Sequence, residues 1–208
     1  MDFAQAIEGR CSVRQYLPDP VPRADVERMI ALATRAANAA NQQVWRFIAV
    51  EDRETLLAMR RAVEDRLDEL AARPELAAYA REVRATRPSA TFFAAAPLCV
   101  AVLVVPYASR MDRLLELCGA TQQERDRLRQ RPDLQSVGAA LQVLITAAYT
   151  LGYGACWMTA PVIAAEQLEH VLGVEQPARL VALVPIGRPA SALRRSSRLP
   201  LDAVLSFR

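Results

Sequence analysis

Near the start of the chain, three residues that can grip an anion alternate with two that cannot. Arg10, Ser12 and Arg14 are interleaved with Cys11 and Val13. Alternate side chains of an extended strand share a face, so the first three would point one way and Cys11 and Val13 the other. At about 3.3 Å per residue the two Arg backbones stand roughly 13 Å apart. That is too far for one phosphate group and suits an elongated anionic ligand held at two points. Two solvated Arg residues on a surface strand would give the same pattern. Cys11 lies between the two cations, an environment that favours thiolate.

Three further segments carry chemistry of the same kind. The turn Asn38-Ala39-Ala40-Asn41-Gln42-Gln43 is rich in amides, which both donate and accept and so suit the mixed edge of a heteroaromatic ring. An ordinary loop before a core Trp45 would read alike. Gly152-Tyr153-Gly154-Ala155-Cys156-Trp157-Met158-Thr159-Ala160 has small residues that admit a ligand close to the backbone, or simply pack tightly. The tail Arg194-Arg195-Ser196-Ser197-Arg198 has the donors of a phosphate clamp, or of a flexible basic end.

These segments need elements to position them. Residues 2–8 read as a short helix capped by Asp2 and stopped at Gly9. Pro18, Pro20 and Pro22 make a stiff connector to a helix over roughly 23–36. A strand follows at Arg46–Val50, then a long helix from about 53 to 72 capped by Asp52. Residues 74–92, rich in Ala and Arg, begin as helix. Leu98–Val105 is a continuous apolar run, the signature of a central strand covered on both faces. Residues 108–131 carry charged helical patterns and read as a surface excursion. Val137–Leu151 is apolar almost all round and too short to span a bilayer, which predicts a buried helix in the core or between subunits. Ala155–Met158 and Leu180–Ile186 read as strands, with a helix at 164–172 between them. The class is α/β or α+β, with one sheet covered by helices.

Composition removes several functions. The 52% hydrophobic fraction of 208 residues supplies ample core for one globular domain, and a net charge of +3 is too small to argue for nucleic-acid binding. All positive side chains are Arg, a bias that fits a phosphate-bearing ligand or genome composition alone. With one His and four scattered Cys, neither a zinc site nor Ser-His or Cys-His hydrolysis is expected. The N-terminus has no basic region and no apolar core, which predicts a cytoplasmic protein with reduced thiols. Nucleotide signatures of the GxGxxG and GxxxxGK[ST] types are absent, so side chains must hold any phosphate.

In order along the chain, the four segments resemble the nitroreductase family of flavoproteins. That family opens with a short helix and R-x-S-x-R/K, matched by Arg10, Ser12 and Arg14. It continues with P-S-x-x-N-x-Q-P-W-R-F, echoed by Ala37 to Phe47. A long apolar helix ends in G-x-G-x-x-W-M, matched from Val137 to Met158. A strand ends near G-x-P, as at Gly187-Arg188-Pro189, and a tail carries R-x-P-L, as at Arg198 to Leu201. The match covers the chain except about 108–131. Departures are Ala37-Asn38 for Pro-Ser, Val44 for the Pro before Trp45, and Cys11 in the variable slot.

The resemblance implies an α+β fold with a central mixed or antiparallel sheet covered by helices. One domain would span 1–208, with the excursion at about 108–131 as a lid. It implies an intertwined homodimer with FMN at the interface, no membrane or nucleic-acid partner and no metal. By analogy Arg10, Cys11, Ser12 and Arg14 would hold the phosphate, ribityl chain and pyrimidine side of the flavin. Asn38 and Asn41 would reach it from the partner subunit. Met158, Thr159 and Ala160 would line the ring, and Arg195 and Arg198 would close on the phosphate. Arg14 is the candidate for tuning the flavin. The activity implied is electron transfer from NAD(P)H to a small organic acceptor, a nitroaromatic, quinone or related compound, by a ping-pong cycle. Ene reduction, dehalogenation and flavin fragmentation are other uses of the same cofactor. Outside enzymes, a flavin sensor or storage protein, or a basic interaction domain, would share parts of the pattern.

Overall fold

The computed structural model describes residues 2–208. Helix α1 (Phe3–Gly9) starts on a capping box in which Asp2 and Gln5 satisfy each other's backbone N–H groups. Helix α2 (Arg23–Ala33) follows the proline connector, and β1 (Trp45–Val50) follows the amide turn. Asp52 caps α3 (Arg53–Ala71) by accepting from the Thr55 N–H at 2.7 Å. The 74–92 region is not one helix. Pro74 opens a 3-10 turn, α4 (Ala80–Ala85) is short, and Pro88 restarts the chain as α5 (Arg87–Thr91), because each proline removes a helical N–H.

Strand β2 (Leu98–Val104) is buried along its whole length, as its unbroken apolar run predicts. Helices α6 (Arg110–Leu117) and α7 (Gln122–Arg129) form the charged excursion and bury no residue. Helix α8 (Pro132–Thr150) begins five residues before the apolar run, because Pro132 is well suited to a first helical turn. It is buried along one side, with Gln142 exposed on the other. Strand β3 (Gly154–Ala155), α9 (Ala165–Val171) and β4 (Arg179–Gly187) complete the elements.

The sheet has order β1-β2-β4-β3 with every pairing antiparallel, which settles the mixed-or-antiparallel expectation. Leu98, Val100, Val102 and Val104 of β2 pack on one face with Ala182, Val184 and Ile186 of β4, beneath α2 and α8. Cys99, Ala101 and Leu103 pack on the other with Leu180 and Leu183, beneath α3 and α9. Burying each of these large apolar side chains is worth about 1.5–3 kcal/mol.

Residues 155–158 are not one continuous strand. Cys156 donates its N–H to Pro185 O at 3.3 Å, but Pro185 has no N–H to return. The ladder lapses there and resumes at Met158, which exchanges two hydrogen bonds with Leu183, at 2.9 and 3.0 Å.

Candidate active site

Gly9 ends α1 against α8, so close that a Cβ on it would lie 2.1 Å from the Tyr149 hydroxyl. Beyond it the chain is extended. Val13 donates its N–H to Ala155 O at 3.0 Å, and Ser12 lies parallel to Ala155, so the Arg10–Arg14 segment runs beside β3. Cys11 and Val13 are buried, while Ser12 and Arg14 are exposed and Arg10 is half-buried. The alternation predicted for this stretch is therefore present. It turns the Cys11 side chain into the protein, away from the face shared by Arg10, Ser12 and Arg14.

Tyr16 fixes the segment from its far end. Its hydroxyl lies against Val13 O at 2.5 Å and Pro185 O at 3.2 Å. Leu17 N–H donates to Arg188 O and Ala190 N–H to Gln15 O. Burial pushes the Tyr16 phenol well above its ordinary value, reinforced by the Cys156 and Cys99 thiols and opposed by Arg14.

The same pairing brings Cys156 to Ser12. Burial raises the Cys156 thiol; the nearby Arg14, hydrogen bonding with Ser12, and Arg10 oppose it without cancelling it. Neither Arg10 nor Arg14 forms an ion pair among the described residues, and Arg10 Nε is buried without a hydrogen-bond partner. An unpaired buried guanidinium N–H is costly and calls for an acceptor. Cys156 is the neighbour that sequence reasoning missed. Only the pairing of segments some 140 positions apart brings it there, and no local pattern signals that.

Gly154 has a packing role. A Cβ on it would stand 2.5 Å from Val13 Cγ2, so its smallness admits the Arg10–Arg14 segment, not a ligand. Met158 is also turned inward, into the cluster with Leu183, whereas Thr159 and Ala160 are exposed. Of Met158, Thr159 and Ala160, only the last two present their side chains at the surface.

The amide turn is held elsewhere. Asn38 accepts from Gln43 N–H at 2.9 Å, and Ala39 N–H donates to Ser136 Oγ at 3.0 Å, near the start of α8. Gln42 binds both backbone groups of Ala108. Ala40, Asn41 and Gln43 have φ of 51°, 51° and 48°, a left-handed conformation that non-glycine residues adopt only when the surroundings enforce it. The exposed Asn41 side chain forms no hydrogen bond among the described residues. Ser136 and Tyr149 are thirteen positions apart on α8, about 20 Å at 1.5 Å per residue. The amide turn and the Arg10–Arg14 segment thus sit at opposite ends of one helix, and the structure does not bring them together within one protomer.

Nor does it bring the tail to them. Arg195 and Arg198 are exposed, and Arg198 donates only to the carbonyls of Ser196 and Ser197, at 3.1 Å each. A cavity of about 1110 Å³ opens beyond the C-terminal end of β2, between α6, α7 and the start of β4. Among the described residues no group of three His, Cys, Asp or Glu is placed to hold a metal ion, and no helix is long and apolar enough to cross a membrane.

The nitroreductase family model matches residues 7–188, from within α1 to the end of β4. The chain belongs to the nitroreductase family. Its similarity to individual relatives runs end to end. An NADH dehydrogenase of Thermus thermophilus is 28% identical, over 100% of this chain and 97% of that one. A BluB-like flavoprotein from Clostridium difficile 630 is 28% identical with a TM-score of 0.90, covering 100% of this chain and 99% of the other. The FMN- and NADPH-dependent nitroreductase NfnB from Sphigopyxis sp. strain HMH shares the fold at 17% identity and a TM-score of 0.75, over 100% and 99% of the two chains. The nitroreductase fold is thus shared over the full chain, excursion included, and family membership places the activity among oxidoreductions.

Proposed function

We propose that this nitroreductase-family protein is a homodimeric, cytoplasmic FMN enzyme that passes electrons from NAD(P)H to a small organic acceptor. One observation carries the reading: Arg10 Nε is buried without a partner on a face shared with the exposed Ser12 and Arg14. Those donors suit a phosphorylated, elongated ligand. The flavoprotein character of the Clostridium relative and the FMN dependence of NfnB support FMN as that ligand.

Bound FMN would accept and return electron pairs, chemistry that the side chains present cannot supply. The chain's own residues bind and orient. Arg10 and Ser12 would hold the phosphate end and ribityl chain, and Arg14 would set positive charge beside the pyrimidine edge, favouring reduction. Thr159, Ala160 and the backbone of Met158 would border the ring. Burial holds the Cys156 thiol protonated, so it stays a packing group behind Ser12.

A second copy completes the site in this reading. Asn38 and Asn41 lie about 20 Å along α8 from Arg10, so they serve a flavin held by the partner. Leu199, Leu201, Val204 and Phe207 of the tail are 64–90% exposed in one protomer, apolar surface that a partner would cover, carrying Arg195 and Arg198 toward the second flavin. The chain then acts as one domain, with 108–131 as the lid.

The test is direct. Purified protein should be yellow and release FMN on denaturation, and it should oxidise NAD(P)H with a quinone or nitroarene. A colourless protein that cannot be reconstituted with FMN would end the reading.

A further inference from the structure

Resting on the reading above, we propose that the arginine-lined cavity beneath α6 and α7 holds the adenosine 2′-phosphate of the pyridine-nucleotide donor and so selects NADPH over NADH. The excursion is held by polar contacts. Neither helix buries a residue. They are held by caps, Ser109 on α6 and Thr121 on α7, and by ion pairs. Arg129 joins Asp112 at 3.2 Å, and Arg131 joins Asp133 at 2.8 Å and Asp126 at 3.5 Å.

Those pairs occupy three of the four acidic groups lining the cavity and leave only Glu116. Arg110, Arg113, Arg125 and Arg179 also line it, and none has a carboxylate partner among the described residues. Arg125 is oriented by Ala120 O and Gln122 Oε1, at 2.9 and 2.8 Å. The wall is therefore cationic after its internal pairs are counted. Guanidinium forks match phosphate oxygens, and an Arg beside the adenosine ribose is a recurring way to accommodate a 2′-phosphate. A volume of about 1110 Å³ has room for the adenosine half of a dinucleotide.

The position agrees. Gln42 ties Ala108, at the entrance of the excursion, to the amide turn. On the proposed function that turn stands at the partner's flavin, so the cavity opens beside the ring that the donor must reach.

Arg110, Arg113 and Arg179 make no side-chain hydrogen bond or ion pair among the described residues, so replacing them leaves the fold's own contacts intact. The experiment compares the holoenzyme with R110Q/R113Q/R179Q by calorimetric titration with NADP+, NAD+ and adenosine 2′,5′-bisphosphate, alongside flavin content. The parent should bind NADP+ about tenfold more tightly than NAD+. The triple variant should lose that margin and its affinity for the bisphosphate, with NAD+ binding and flavin content little changed. Equal affinities for the two nucleotides in the parent, or a margin that survives the triple substitution, would overturn the proposal. Binding is read without turnover, so an absence of FMN would count against the functional reading, while the nucleotide comparison would still judge the cavity.

Discussion

Gly154 and Val13 meet so closely that a Cβ on the glycine would lie 2.5–2.8 Å from three atoms of the valine. This contact presses the anion-gripping segment onto the sheet edge. The obstructing atoms include Val13 Cβ, which cannot swing aside. Gly154→Ala should therefore destabilise the protein by roughly 1–3 kcal/mol, as overpacking does, and reduce FMN occupancy. Val13→Gly in that background, which removes the Cβ as well as both methyl groups, should recover part of both. Denaturant unfolding of the four proteins in the cycle reads the coupling, and purely additive losses would show that the contact is not the cause.

Arg10 should behave oppositely in the apo and loaded protein. Arg10→Gln removes a buried N–H that lacks a partner, so apo stability should hold or rise. FMN affinity should fall about tenfold or more, the scale of a lost charge-assisted bond. Arg14→Ala should instead lower the reduction potential of the bound flavin. Thermal melts, flavin fluorescence titration and potentiometry separate the two roles, and an unchanged potential removes Arg14 from tuning.

Tyr16 predicts an alkaline weakness. Burial raises its folded value above the ordinary 10.0, so the unfolded chain releases the proton first. Its stabilising contribution is complete below that pH and is lost as pH rises through the folded value. Burial displaces the Cys99 thiol in the same direction, adding to the decline. Tyr16→Phe should melt lower at neutral pH, by about 1 kcal/mol for the lost hydrogen bonding, yet decline less steeply in alkali. Parallel melting curves against pH would exclude Tyr16 as a contributor.

Removing residues 191–208 should convert a dimer to a monomer and release flavin while leaving helix content largely intact. The segment forms only the short 3-10 turn Leu201–Ala203 and buries none of its residues within the protomer. Sedimentation velocity with far-ultraviolet dichroism measures both effects. A truncated protein that stays dimeric would place the interface elsewhere.

Much of this was legible from residue types. The apolar run at 98–105 announced a strand covered on both faces because a buried strand has no polar side to show. Asp2 and Asp52 announced helix starts, and the Arg10/Ser12/Arg14 alternation gave the orientation of each side chain. What escaped depended on partners distant in sequence. The break after Ala155 comes from Pro185 on the neighbouring strand, and no pattern within 155–158 records it. The inward turn of Cys11 followed from the alternation itself, yet the motif resemblance grouped it with its exposed neighbours. The separation of the amide turn from Arg10 needed the length of α8, and the pairing of Cys156 with Ser12 needed the sheet register.

That nineteen-residue rod has a genetic consequence. In the proposed dimer each protomer lends one end of α8 to one flavin and the other end to the second. An allele damaged at Arg10 and an allele damaged at Asn41 would each lack activity alone. Co-expressed, they would form mixed pairs in which both lesions fall on the same flavin and the other site is whole. Two inactive alleles would then complement one another.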